Sequence, residues 1–235
     1  MEEARREVAD ASRILAAHNV VDAFGHISRR RPDRTDRFLI SRSLAPAQVT
    51  PDDVVELDLD GAEVEPRGAR LFLERFIHGE IYRRRPDVMA VAHSHAMSVL
   101  PFAVVPSVRV RPICHMCSFL HDTPVPFDVA DHAGPATDLL ISSQALGAAL
   151  ADHLGNANVV LMRGHGFTCV GDSIAKTTFR AIYTPKNCEI QSSALAMGEP
   201  VFLTPGEATA CDATNMSQLD RAWNLWRAAL DHNEY

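Results

Sequence analysis

Apolar residues recur at helical spacing over residues 3–18, where Val8, Ala11, Ile14 and Leu15 line one face, and the pattern then changes to short apolar runs. Extended segments are predicted at 22–29, entered through Gly25, at 38–43 and at 54–59, with a tight turn at Asp60-Gly61. A helical stretch that begins near Glu74 follows, then a turn at Arg85-Pro86-Asp87 and an apolar strand from Val88 to Ala92 that ends in His93-Ser94-His95. Beyond it the pattern predicts a short helix at 96–102, a proline-punctuated stretch up to Met116, a helix at 142–153, a strand at 159–162 and a long helix at 173–198. Pro185 falls inside that long helix, where a missing N–H and a ring clash predict a bend or break. Near the end, Leu219, Trp223, Trp226 and Leu230 recur at intervals of three and four, a helical face expected to pack on a core or a second subunit. Alternation of helix and strand predicts an α/β layered architecture. No repeat, low-complexity tract or linker interrupts it, so residues 1–235 read as one domain.

One strand end carries chemistry. In extended backbone, residues i and i+2 project to the same side, so His93 and His95 aim two imidazoles at one point. Two neutral ring nitrogens are half of a typical divalent-metal site. The run Val159 to Met162 leads into Arg163-Gly164-His165-Gly166, where glycines allow a tight turn that brings a third imidazole inward. With Glu74 nearby, the pattern suggests a three-histidine site with a carboxylate beside it, and an open fourth position would make it catalytic.

Glu74, the nineteen-residue step to His93-x-His95, and the later Gly164-His165-Gly166 resemble the class II aldolase/adducin family, collinearly from about Gly25 to about Gly198. The resemblance implies a three-layer αβα fold around a central mixed β-sheet. It also implies His93, His95 and His165 as metal ligands and Glu74 as the acid/base residue. The ion is manganese or zinc, with iron as a further option, because three imidazoles suit several first-row metals. A homotetramer is the expected assembly.

Two departures bear on the substrate. Sugar-phosphate members of the family carry Gly-Asn-Ile-Ser, whose asparagine helps bind phosphate, where this chain has Gly25-His26-Ile27-Ser28. They also place two small hydroxyl residues just before the catalytic glutamate, where this chain has Phe72 and Leu73, neither able to donate to a phosphate. The wording of Phe24 to Ser28, of Ile40-Ser41-Arg42-Ser43 and of Glu74 to Tyr82 resembles the decarboxylase branch, which acts on hydroxylated aromatic or pyridine dicarboxylates such as dihydroxyphthalate. On this resemblance Ser41, Arg42 and Phe72 border the substrate, with the Arg42 guanidinium suited to a carboxylate. His115 lies in a segment often near a neighbouring subunit's site, and Tyr183 shares a helical face with Arg180. His26 serves as a second acid or a carboxylate contact. The implied reaction has the metal stabilise an enolate or phenolate while Glu74 donates a proton, its pKa raised by Phe72 and Leu73. An aldolase acting on a non-phosphorylated substrate and a non-haem iron oxygenase would use the same ligands. An adducin-like binding module would have lost them.

Composition narrows the partners. A net charge of -7 and a pI near 5.8 disfavour nucleic acid, which calls for a basic face. With no apolar run of eighteen residues and an acidic N-terminus, no membrane segment or signal peptide is predicted, and a cytoplasmic location is expected. Five cysteines, irregularly spaced, fit a reducing compartment, and the lone Cys114-x-x-Cys117 reads as structural.

Overall fold

The computed structural model describes residues 1–66 and 68–231; of the predicted domain span, residues 67 and 232–235 lie outside the described set. Helix α1 (Glu2–Ala17) opens with two acids that complement its positive end and buries Val8, Ala11, Ile14 and Leu15. Strands β1 (His26–Arg31), β2 (Arg34–Ser41) and β3 (Val54–Asp58) form a meander, with residues 22–25 of the predicted first strand serving as its entry loop. Helix α2 (Arg75–Arg84) crosses to β4 (Ala90–Ser94), and short helices α3 (Leu100–Val104) and α4 (Ala130–Ala133) precede α5 (Gln144–Leu154), capped by the Ser143 hydroxyl. The chain closes with β5 (Val159–Met162), β6 (Gly166–Gly171), α6 (Ile174–Met197), α7 (Pro205–Ser217) and α8 (Leu219–Asp231).

Six strands lie in the order β3-β2-β1-β4-β6-β5, and every ladder between them is antiparallel. The expected mixed character shrinks to one isolated parallel bridge, Phe127 to Met162. Its cause is β6. The helical crossover from β4 to β5 would make a parallel pair, but the β5–β6 hairpin inserts β6 between them. Strand β6 escapes the periodicity because Gly166-Phe167-Thr168-Cys169-Val170-Gly171 is small, short and bounded by glycines.

The pleat sorts the sheet into two cores. Ile27, Leu39, Ala90, Ala92, Phe167 and Cys169 face α1, α6 and α8, whereas Phe38, Ile40, Val91, Val160 and Val170 face α2 and α5. This gives the three αβα layers. By the same alternation His26, Ser28 and His93 fall on the α2 side, and β1–β4 register sets His26 directly opposite His93.

Of the predicted bend or break at Pro185, the break does not occur: helix α6 continues through it. The ring is buried, and the preceding Thr184 hydroxyl donates to the Arg180 carbonyl at 2.7 Å. The predicted face of Leu219, Trp223, Trp226 and Leu230 is α8, preceded by α7, which the periodicity did not mark, and Trp223 and Trp226 are buried in this chain's own core. Among the described residues no helix is long and apolar enough to cross a membrane.

Candidate metal centre

Four side chains converge where α2 begins, β4 ends and the β5–β6 hairpin turns. One donor atom each from Glu74, His93, His95 and His165 lies within 4.8 Å of the other three. His95 Nε2 stands 2.9 Å from His93 Nε2 and 3.0 Å from His165 Nε2. Two nitrogens about 2.1 Å from a shared ion at a right angle would be separated by about 3.0 Å, so the imidazoles suit adjacent corners of a first-row metal's coordination shell. Glu74 Oε2 stands back, 3.4 Å from His93 and His165 and 3.9 Å from His95.

The remaining atoms of these groups are tied down. The Leu139 carbonyl can only accept, so His165 Nδ1 donates to it at 3.0 Å and Nε2 keeps its lone pair for the cluster. Thr168 gives its proton to Met162 Sδ, which leaves its oxygen to accept from His93 Nδ1 at 3.3 Å. Glu74 Oε1 accepts the Ile141 N–H at 3.0 Å. Leu139 holds a left-handed φ of 67°, a conformation costly for a branched residue and maintained where its carbonyl accepts from His165.

Burial alone would raise the Glu74 carboxyl, but His93 and His165 outweigh it and hold the group far below the carboxylate range. This corrects the expectation of a raised pKa. Leu73 is exposed and the Phe72 ring packs 4.6 Å from His26, so neither walls off the carboxyl from the imidazoles. Burial pulls His165 down, but the Glu74 contact overrides it and raises it; His95 is lowered to about 4 by burial and the two neighbouring histidines.

His26 is buried beside the cluster and heads a hydrogen-bonded chain absent from the sequence-based expectations. Its Nδ1 meets His78 Nε2 at 2.7 Å, His78 Nδ1 meets Ser28 Oγ at 2.6 Å, and Ser28 Oγ meets the Tyr82 hydroxyl at 2.7 Å. Either direction of the protons leaves His26 Nε2 free for the pocket. Burial and the neighbouring imidazoles of His78 and His93 hold His26 neutral.

The open side of the centre is a cavity of about 470 Å³ lined by His95, Glu74, His26 and Phe72, with apolar walls from Phe24, Leu44, Leu71 and Leu140. Other predicted substrate residues are not brought there. Arg42 pairs with Asp53 at 2.8 Å and lines a separate cavity with Arg5, Arg31 and Glu56, because β2–β3 register sets Ser41 opposite Val54 and so places Arg42 beside Asp53. Ser41 is buried with the parity of Leu39, on the sheet face away from His26. His115 and Tyr183 share a third cavity with Asn215 and Trp226, and Tyr183 packs on Phe179 at 4.5 Å. Arg180 is buried, donating to the Val170 carbonyl at 2.6 Å.

Known proteins share this chain's sequence and fold over most of its length. Residues 6–192 match the model of the class II aldolase and adducin N-terminal domain. A protein named Decarboxylase tropJ, from Talaromyces stipitatus, is 41% identical over 236 residues, covering 91% of this chain and 88% of its own. A 3,4-dihydroxyphthalate decarboxylase from Rhodococcus jostii is 31% identical over 191 residues, covering 77% of this chain and 76% of its own. In fold, an aldolase II superfamily protein from Pseudomonas syringae superposes with a TM-score of 0.81 at 22% identity, over 99% of this chain and 93% of that one.

Proposed function

The chain belongs to the class II aldolase and adducin N-terminal domain family, and on that premise we propose that it is a metal-dependent, non-oxidative decarboxylase of a hydroxylated aromatic or heteroaromatic dicarboxylate. The observation that carries this reading is the pocket beside the donor cluster, which has an aromatic and aliphatic wall, including Phe72, where a phosphosugar site needs hydroxyls. Relatives named as decarboxylases over most of their length support it.

His93, His95 and His165 would hold a divalent ion, manganese or zinc before iron. When bound, such an ion supplies Lewis acidity to an oxyanion of the substrate. Glu74 rests as a carboxylate, so its first task is to accept the proton of a ring hydroxyl through Oε2, its Oε1 being engaged by Ile141. It then returns that proton to the ring carbon that bears the departing carboxylate. The carbon–carboxylate bond breaks, carbon dioxide leaves, the electron pair restores the aromatic ring, and solvent reprotonates the ring oxygen. His26, neutral and anchored through His78, offers Nε2 as a hydrogen-bond partner to a substrate oxygen. Phe72 and Leu71 exclude water from one face of a flat ring. Residues 1–235 would act as one domain, and the exposed Ile190, Leu195 and Met197 of α6 support burial against further copies in a homotetramer.

The test is carbon dioxide release from hydroxylated phthalates and pyridine dicarboxylates under anaerobic conditions by manganese-loaded protein. Release that is abolished by Glu74→Gln or His93→Ala supports the assignment. Aldehyde formation without carbon dioxide would transfer it to an aldolase, and strict dependence on iron and oxygen to an oxygenase.

A further inference from the structure

Among the described residues lining the cavity over His95 and Glu74, Arg70 is the sole arginine or lysine. With Arg42 paired to Asp53 in another cavity, Arg70 is the one permanent positive side-chain charge among the described residues of the pocket. In a chain with 30 acids and 23 basic residues, arginines generally find a carboxylate, as Arg31, Arg37, Arg84, Arg163 and Arg227 do. The exposed Arg70 guanidinium pairs with none among the described residues. Its backbone is nonetheless fixed, because the Ser43 N–H donates to the Arg70 carbonyl at 2.7 Å and ties it to the segment leaving β2.

We propose that Arg70 binds the carboxylate that a dianionic ring substrate keeps, and so sets the preference for dicarboxylates over monocarboxylates; this rests on the decarboxylase reading given above. A planar guanidinium pairs with a carboxylate through two parallel hydrogen bonds, which fixes the orientation of the ring as well as its charge. Chemistry decides which carboxylate it holds. The departing group loses its negative charge as carbon dioxide forms, so a cation on it would stabilise the ground state more than the transition state and slow the reaction. A cation on the retained carboxylate keeps its interaction throughout, which strengthens binding without opposing bond cleavage.

The test uses manganese-loaded full-length protein and two ligands that lack a ring hydroxyl, phthalate and benzoate, titrated calorimetrically into wild type, Arg70→Met and Arg42→Met. Any chelating contribution of phthalate is common to all three proteins and cancels in comparisons of the phthalate-to-benzoate affinity ratio. Loss of one charge-assisted pair predicts a fall of about 10- to 100-fold in that ratio for Arg70→Met, partial recovery in Arg70→Lys, and an unchanged ratio for Arg42→Met. Thermal melts confirm that the variants fold. An unchanged ratio in Arg70→Met, or a collapse in Arg42→Met instead, overturns the proposal while leaving carbon dioxide release untouched. A collapsed ratio in a protein that releases no carbon dioxide upholds the carboxylate site and removes the reaction assigned to it.

Discussion

Gly166 offers a test of how the sheet sets the metal centre, because it connects packing to ligand geometry in a single atom. A Cβ at this position would lie 2.1 Å from the Ser94 carbonyl oxygen, 3.0 Å from its carbon and 3.1 Å from His95 Cα. All three are backbone atoms, so no side-chain rotation relieves them. Bringing the closest contact from 2.1 Å to an ordinary 3.4 Å requires about 1.3 Å of movement between β4 and β6. His95 and His165 adjoin this contact on the two segments and hold their Nε2 atoms 3.0 Å apart. Metal–ligand distances tolerate only about 0.2 Å, so a displacement of this size would disturb the spacing of the imidazoles around an ion. Gly166→Ala is therefore expected to cost about 1–3 kcal/mol of stability by overpacking, and about 10- to 100-fold in metal affinity, as for a displaced supporting contact. Metal retained after dialysis against a competing chelator measures the second effect, and thermal unfolding of the metal-free protein measures the first. Gly206→Ala is the control, since nothing lies within 4 Å of an added methyl in α7. A folded Gly166→Ala protein with wild-type metal affinity would refute the link between the β4–β6 contact and the ligand set.

Glu74→Gln preserves shape while removing the proton acceptor, so it should lower turnover at least about 100-fold and leave His93, His95 and His165 able to hold metal; metal content and initial rates on the same sample separate the two, and near-normal turnover would remove Glu74 from the chemistry. His78 is fully buried, and burial followed by the His93 imidazole lowers its pKa from 6.5 to about 3. The unfolded chain thus binds a proton that the native one refuses. Its contribution is intact above about pH 6.5 and is lost as pH falls toward 3, with a slope of up to about 1.4 kcal/mol per pH unit. Urea titrations between pH 7 and 4 should show one fewer proton taken up on unfolding for His78→Asn, and equal slopes would count against the buried neutral imidazole. Cys114 is lowered to about 6 by its contact with Cys117 Sγ at 3.1 Å, whereas burial helps push Cys117, Cys169 and Cys188 upward. Peptide mapping after brief iodoacetamide treatment at pH 7 should find Cys114 modified ahead of those three; modification of a buried thiol first would contradict the assignment.

The cluster of His93, His95 and His165 was legible because its signal is local. His93 and His95 share a strand face by a period of two, and His165 is marked by its flanking glycines, so side-chain direction follows from short-range geometry. The contacts around them depend on register and handed packing, which short-range patterns do not specify. Arg42 illustrates the limit: a cation after an apolar strand suggests an anion site, yet the pairing of Ser41 with Val54 delivers it to Asp53, eleven residues away. Arg70 carries no comparable mark and sits in irregular backbone, so its place in the pocket emerges only from the fold. His78 is different, since a usable signal was present. Glu74, His78 and Tyr82 recur at intervals of four, one face of α2, and that face meets the sheet at Ser28 and His26. A polar stripe on a helix that must be buried is costly unless every group finds a partner, and the partners found here are the three-histidine cluster at one end and a hydrogen-bonded chain along the rest. The helix thus spends its buried face on chemistry while Ile77 and Ile81, one residue to the side, supply the apolar packing that holds it against the sheet.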